Sequence, residues 1–177
     1  IAIFGAILFT KAAEKFGNKE ALFEQVLSNY HNAHQNALEQ AFSDGGTKRE
    51  RLHKVIDAYI NFISENRRYP TLVQGLLTAS NDRSAFVKRG LAPLQTWIEE
   101  ALSDDIPNMG PTSARHFFIT VTGAVMNYFT YGPALSDAWA EDMLGESGIQ
   151  ERREHLHWLV DTLLDNLEIV PASEKPN

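Results

Sequence analysis

The chain has 177 residues, enough for one domain with its own core or for a small module attached to a larger domain. Its formal net charge of -7 argues against a long basic surface wrapped by nucleic acid, although a small basic module on an acidic body is compatible with it. There are no cysteines, so disulfide frameworks and thiolate metal sites are excluded, and a reducing compartment is permitted.

The chain opens with the apolar stretch IAIFGAILF, which has the hydrophobicity of a secretory signal but lacks the positively charged segment that precedes one. Because the first residue is Ile1 rather than a methionine, we expect the true beginning to be missing. The longest apolar candidate, HFFITVTGAVMNYFTY, is interrupted by Thr120, Thr122 and Asn127 and falls short of the roughly 18 apolar residues of a membrane helix. We therefore expect a soluble, cytoplasmic protein without a membrane partner.

Apolar residues recur at the i, i+3, i+4 spacing of a helix in six segments, and no strand pattern competes with them. The first segment has Asn18 as a suitable cap, Glu20 in its first turn and a Gly45-Gly46 stop. We expect Pro93 to kink the fourth segment. The predicted helices span residues 19–42, 47–66, 69–77, 82–102, 112–131 and 149–168. The sequence thus predicts an all-α fold, with a loop at 103–111 and a tail at 171–177.

The helix predicted at 112–131 is apolar over more than half of its circumference. At about 100° per residue, two neighbouring stripes form. One contains Phe118, Thr122, Val125 and Phe129, and the other contains Phe117, Val121, Ala124 and Tyr128. A helix with two adjoining apolar faces must be covered from two directions. The sequence leaves open which stripe faces the interior of the subunit and which faces a partner subunit.

Residues 16–27, FGNKEALFEQVL, resemble the junction of tetracycline-repressor (TetR) family regulators, at which a helix-turn-helix module meets the regulatory domain. The family's aromatic-Gly-Ser/Asn-Lys-Glu-x-Leu string is matched by Phe16, Gly17, Asn18, Lys19, Glu20 and Leu22. FFITVTGAVMNYFTYGPAL and IQERREHLHWLVDTLL are similar to the last two long helices of that domain. The resemblance covers about residues 16–168.

The chain departs from the family before Lys19. The family has a Gly-Val turn, a recognition helix and a Tyr there, whereas this chain has LFTKAAEK with Ala13 at the Tyr position. The eighteen residues before Lys19 are also fewer than a complete three-helix module needs. We interpret residues 1–18 as a remnant of the helix-turn-helix DNA-binding domain and residues 19–170 as the ligand-binding and dimerisation domain. A truncated relative that does not bind DNA is the alternative.

The resemblance implies a ligand-responsive DNA-binding transcriptional regulator, in the simplest form a repressor released by its effector. Its implied partners are operator DNA, a small-molecule effector and a second copy of the chain, and no cofactor is expected. Lys19 is the main DNA-binding candidate, because a cation at a helix N-terminus is unfavourable unless it has a partner such as a phosphate. A solvated lysine is the ordinary alternative. Lys11 and Lys15 are weaker candidates.

The effector pocket is expected where inward-facing aromatic side chains meet a few hydrogen-bonding groups. His34 lies on the apolar face of its helix, where a satisfied core histidine is the ordinary alternative. The predicted ligand-binding residues are His34, Tyr59, Phe62, Trp97, Phe118, Thr122 and Met126. Few charged residues project there, which favours a largely apolar or aromatic effector with one or two hydrogen-bonding groups.

A homodimer is predicted to form through the last two long helices, as an isologous four-helix interface. The resemblance to the family's dimer helices and the second apolar stripe of residues 112–131 both favour this arrangement. The predicted interface residues are Phe117, Val121, Ala124, Tyr128, His155, Trp158 and Leu159.

Two further hypotheses come from other classes of protein. A helical ligand-binding or scaffolding dimer without DNA binding explains the same helices. A di-iron enzyme is suggested by Glu50-x-x-His53 and Glu154-x-x-His157, but each Glu lies roughly 150° from its helix's apolar face, which favours surface charges over metal ligands. No Ser-His-Asp set, phosphate-binding Gly loop or pair of inward carboxylates is found, so no catalytic residue is predicted.

Overall fold

A computed structural model describes residues 19–78, 83–103, 106–107 and 109–169, without the side chains of residues 19, 20, 23, 83–86, 89 and 167–169. The described residues form six α-helices and no strand, which confirms the all-α class. The helices are α1 (Lys19–Ser43), α2 (Lys48–Glu65), α3 (Tyr69–Thr78), α4 (Arg83–Leu102), α5 (Ala114–Trp139) and α6 (Glu146–Ile169). The predicted helix-turn-helix remnant and the tail at 171–177 lie outside the described residues.

Helix α2 lies at the centre of the bundle. It packs against α1, α5 and α6, while α4 packs against α1, α3 and α5, and α3 also contacts α5. The buried residues of α2 follow the predicted apolar spacing and include Leu52, Ile56, Ile60 and Ile63.

The reversal from α1 into α2 is encoded locally. Gly45 and Gly46 adopt φ values of 69° and 102°, a left-handed conformation that favours glycine. Thr47 then caps α2: its side chain accepts from the backbone N–H of Glu50, and the Glu50 carboxylate accepts from the backbone N–H of Thr47. This reciprocal capping box satisfies two helix-end donors and fixes where α2 begins.

The contact between α2 and α6 is formed by the same sequence pattern on each helix, which we call the α2–α6 clasp. Both helices have Arg, His and Asp at four-residue intervals, followed by Asn61 in α2 and Asp165 in α6. The two series are Arg49, His53, Asp57 and Asn61, and Arg153, His157, Asp161 and Asp165. The first residue of each series hydrogen-bonds to the last residue of the other series, so the two helices are antiparallel.

The clasp is nearly symmetric about its centre. The rings of His53 and His157 stack with centroids 4.1 Å apart and planes 2° from parallel. The Nε2 of His53 lies 2.8 Å from a carboxylate oxygen of Asp161, and the Nε2 of His157 lies 2.9 Å from one of Asp57. Partial burial acts to raise the pKa of Asp161, but hydrogen bonds from Arg49 and His53 outweigh it, so this pKa lies below its ordinary value.

Helix α5 continues beyond its predicted end. The expected end near Tyr131 is wrong, because α5 runs through Gly132 and Pro133 to Trp139 and ends at Ala140 in a left-handed conformation with φ 52°. Packing overrides the helix-breaking tendency of Pro133 here: Gly132 is buried against Leu144, and Ser136 donates to the carbonyl of Gly132 at 2.9 Å. None of the described helices, α5 included, is long and apolar enough to cross a membrane.

Helix α6 begins at Glu146, three residues before its predicted start at Ile149. The turn before it is held by Tyr128, whose hydroxyl lies within hydrogen-bond distance of the carbonyl oxygens of Met143 and Gly148. Arg152 lies over the Tyr128 ring, 5.0 Å from its centroid, and donates to the carbonyl of Ala124 at 2.7 Å. These contacts join α5 to the start of α6.

The close approach of α1 and α4 yields a stability prediction. A Cβ added at Gly90 would lie 1.9 Å from His31 Nδ1, whereas one added at Gly75 in α3 has no atom within 4 Å. Gly90→Ala should therefore lower the free energy of unfolding by about 1 to 3 kcal/mol relative to Gly75→Ala, which gains helix propensity without a clash. Urea denaturation of both variants measures this difference. Equal stabilities would show that α1 and α4 do not approach each other this closely.

Candidate functional site

An apolar cavity lies among α1, α2, α4 and α5, at the position where the sequence predicts an effector pocket. Its volume is about 50 Å³. Sixteen residues line it: His34, Leu38 and Phe42 from α1; Leu52, Val55, Ile56 and Tyr59 from α2; Leu94, Trp97, Ile98, Ala101 and Leu102 from α4; Phe117, Phe118, Val121 and Thr122 from α5. Aliphatic and aromatic side chains dominate this lining, with His34, Tyr59, Trp97 and Thr122 as its polar members.

His34 is the most unusual residue of the cavity. Its side chain is nearly buried, with 5% of the residue exposed. The ring stacks on Tyr59 at 4.6 Å between centroids and on Phe62 at 4.9 Å, and because one imidazole face has room for one stacked ring, these two rings cover opposite faces. The ring edge is therefore the part of His34 left for other contacts, and its Nε2 is buried without a hydrogen-bond partner.

His34 is neutral at physiological pH. Burial, followed by the nearby charge of His31, lowers its pKa from 6.5 to about 4. A neutral imidazole carries one N–H donor and one lone pair, so the unpartnered Nε2 is a donor or an acceptor depending on the tautomer. Burial also raises the pKa of Tyr59, which therefore stays protonated. No side-chain charge on the described lining is available to bind an ion at neutral pH.

The aromatic end of the cavity is formed by α1 and α4. Phe42 and Trp97 meet edge to face, with centroids 5.6 Å apart. The guanidinium of Arg51 lies 4.8 Å from the centroid of the Phe42 ring, although Arg51 does not line the cavity. This positive charge thus contacts an aromatic face rather than the cavity itself.

Five of the seven predicted ligand-binding residues meet on the cavity wall: His34, Tyr59, Trp97, Phe118 and Thr122. Two do not. Phe62 is buried behind His34, where it packs on Tyr30 and Tyr69. Met126 is also buried but does not line the cavity, because it lies one turn beyond Thr122 along α5.

Sequence reasoning missed most of the aliphatic wall. The additional lining residues include Leu38, Leu52, Val55, Ile56, Leu94 and Leu102. Their helical spacing marked several of them as core residues, and core residues and cavity-lining residues carry the same apolar signal. Only the relative placement of four helices distinguishes the two roles.

The predicted dimer residues separate into three groups. Phe117 and Val121 line the cavity, so both apolar stripes of α5 reach the interior of the subunit. Ala124, Tyr128 and Leu159 are partly buried against the core of their own subunit. His155 and Trp158 are exposed and contact each other at 5.5 Å between ring centroids.

The largest exposed apolar side chains of α5 lie outside the predicted stripe. Ile119, Tyr131 and Trp139 are 65%, 58% and 58% exposed, and Trp158 on α6 is 60% exposed. Trp139 and His155 line one surface groove beside Arg152. The surface formed by Tyr131, Trp139, His155 and Trp158, which we call the outer α5–α6 surface, replaces the stripe of Phe117 and Val121 as the candidate contact with a second subunit.

The two Glu-x-x-His pairs do not come together as metal ligands. Glu50 caps α2, and Glu154 accepts from Gln150 on the surface, while His53 and His157 stack in the α2–α6 clasp. Among the described residues, no three His, Cys, Asp or Glu side chains are grouped to hold a metal ion. The interpretation of both histidines as surface charges was wrong, because each is partly buried and bonded across the helix pair.

The DNA-binding candidates are not placed by the structure. Lys11 and Lys15 lie outside the described residues, and the side chain of Lys19 is not described, although its backbone begins α1.

No protein-family model, curated protein or solved structure matches the chain. The resemblance to the tetracycline-repressor family therefore rests on the quoted residues alone.

The burial of neutral His34 predicts a specific loss of stability in acid. The pKa is about 4 in the folded chain and 6.5 ordinarily, so between these values the unfolded chain binds a proton that the folded chain does not. The free energy of unfolding should fall as the pH drops below about 6.5, by up to about 3 kcal/mol near pH 4. His34→Phe keeps a stacked ring but removes this titration.

Urea denaturation at about pH 7.5 and about pH 4.5 tests this expectation. The stability lost between these pH values should be smaller for His34→Phe than for wild type. Equal losses in both proteins would show that His34 is not buried in its neutral form.

Proposed function

We propose that the chain is the regulatory domain of a ligand-responsive, DNA-binding transcriptional regulator of the tetracycline-repressor type. The observation that carries the proposal is the apolar cavity among α1, α2, α4 and α5, whose lining includes His34, a residue with a buried Nε2 that has no hydrogen-bond partner. An unsatisfied buried polar group costs about 1 to 3 kcal/mol, so a molecule that pairs with it is favoured there. The motif at Phe16 to Leu22 supports the DNA-binding role.

The size of the cavity suggests how an effector would act. At about 50 Å³, it is well below the roughly 150 Å³ of an apolar cavity known to bind benzene. An aromatic effector would therefore have to displace part of the wall. The aromatic wall residues Phe42, Trp97, Phe117 and Phe118 are only partly buried, so these side chains have room to move.

Helix α1 would transmit this displacement. It contributes His34, Leu38 and Phe42 to the wall, and its first turn continues from the motif that resembles the junction with a DNA-binding module. If the effector favours a shifted position of α1 and the operator favours the position described here, the two ligands oppose each other through linkage. The expected regulator is a repressor that the effector releases.

The second copy of the chain is proposed to bind the outer α5–α6 surface. Tyr131, Trp139 and Trp158 are large exposed apolar residues on the two helices that the sequence assigns to dimerisation. An isologous contact between two such surfaces would bury these residues and hold two DNA-binding modules in a symmetric pair. A ligand-binding or scaffolding dimer without DNA binding would have the same cavity and surface, so DNA binding decides between the two functions.

The full-length gene product should bind a roughly palindromic duplex with an affinity that falls steeply as salt rises. Lys19→Ala should weaken binding to all duplexes by a similar factor and lower the salt slope by about 1, because it removes one phosphate contact. Fluorescence anisotropy over a salt series measures both quantities, with Lys54→Ala as a control remote from α1's N-terminus. Failure to select any duplex while effector binding persists would leave the non-DNA alternative.

Filling the cavity should abolish the effector response. Ala101→Leu adds a side chain at the cavity wall, whereas Ala92→Leu makes the same change at an exposed position of the same helix. Binding compounds from an apolar and aromatic library, at a concentration of about ten times their Kd, should raise the melting temperature of wild type and Ala92→Leu by about 3 to 6 °C. They should not raise that of Ala101→Leu. Equal shifts in all three proteins would place the binding site elsewhere.

Dimerisation should depend on Trp158. Trp158→Glu puts a charge in the proposed contact and should yield a monomer in equilibrium sedimentation at micromolar concentration. Leu77→Glu changes an exposed leucine of α3 and should leave the dimer intact. A monomeric wild type, or a Trp158→Glu protein that stays dimeric, contradicts the proposed surface.

A further inference from the structure

The polar edge of His34 restricts the chemistry of the effector. Tyr59 and Phe62 stack on the ring and Tyr69 approaches it at 6.3 Å between centroids, while Nε2 on the ring edge has no hydrogen-bond partner. An effector therefore meets His34 through an in-plane hydrogen bond rather than by stacking on it. The group that it presents to this edge must be a small donor or acceptor.

A hydroxyl suits this position better than other polar groups. It donates and accepts, so it pairs with Nε2 in either tautomer of the neutral ring, whereas a carbonyl or ether oxygen pairs only with a protonated Nε2. Its single oxygen also needs less space than a carboxylate or an amide. Space matters because the cavity measures about 50 Å³.

The rest of the lining excludes a charged effector. Among the sixteen described residues of the wall, none is Asp, Glu, Lys or Arg. Moving an unpaired ion into such surroundings is far more costly than moving a neutral group. Protonated His34 does not supply the missing charge, since its pKa of about 4 keeps it neutral at physiological pH.

The shape of the surroundings favours a planar hydrocarbon body. Five aromatic side chains line the cavity, namely Phe42, Tyr59, Trp97, Phe117 and Phe118. Rings packed among such side chains adopt offset-stacked and edge-to-face contacts, as Phe42 and Trp97 do here.

We propose that the effector is an uncharged phenolic compound whose hydroxyl hydrogen-bonds to the Nε2 of His34. The inference rests on the proposed function only in taking the cavity as the effector site. It adds the charge state of the effector, the identity of its polar group and the atom that recognises it.

Three probes of similar size test the proposal: phenol, toluene and benzoate, titrated by calorimetry into wild type and His34→Phe. Because toluene is the more hydrophobic, the informative quantity is the ratio of the phenol Kd to the toluene Kd in each protein. That ratio should be about tenfold higher in His34→Phe than in wild type, since phenol alone loses a hydrogen bond. Benzoate should bind wild type at least about a hundredfold more weakly than phenol.

A second measurement does not depend on the variant. The ¹⁵N resonance of His34 Nε2 in wild type should move on addition of phenol and change little on addition of toluene. It remains informative if His34→Phe fails to fold.

The outcomes separate this proposal from the proposed function. An unchanged Kd ratio together with an unmoved Nε2 resonance would overturn the hydroxyl assignment while leaving a ligand-binding cavity. Tighter binding of benzoate than of phenol would also overturn it and would point to Arg51 as the partner. If no probe binds, the phenolic effector is wrong, and the library screen with Ala101→Leu then decides whether the cavity binds any effector.

Discussion

Helix α2 has to be covered on two sides, by apolar packing on one and by polar contacts on the other, and the arrangement of the other helices depends on this requirement. Its apolar face is buried in the core with residues such as Ile56 and Ile60. Its polar stripe is engaged by α6 through the stacked His53 and His157 and the flanking Asp and Arg side chains. Partly exposed ion pairs contribute little stability, so the directional bonds of the clasp chiefly fix the register of α6.

The same helix connects that clasp to the cavity. Tyr59 and Val55 belong to the cavity wall, while Asp57, between them in sequence, bonds to Arg153 and His157. Displacement of the cavity wall by a bound molecule would therefore act on a helix whose register against α6 is fixed on its opposite side.

His34 illustrates the tension between stability and binding. A leucine in its place would leave no unpaired polar atom, whereas the buried Nε2 costs about 1 to 3 kcal/mol. Stacking with Tyr59 and Phe62 offsets part of this cost and holds the ring edge in one orientation. A recognition group held in this way loses little further freedom when a ligand binds.

The sequence by itself determined the six helices, the Gly45-Gly46 reversal and the apolar faces, because period and turn chemistry are local properties. It also identified His34, Tyr59, Trp97, Phe118 and Thr122 as candidate cavity residues, since each is a polar or aromatic residue on an inward face. Only the tertiary structure decided that α5 continues through Pro133, that Phe117 and Val121 face the cavity, and that two Arg-His-Asp series about a hundred residues apart pair with each other. These outcomes depend on which helices are neighbours, and helical periodicity specifies the faces of a helix without naming what covers them.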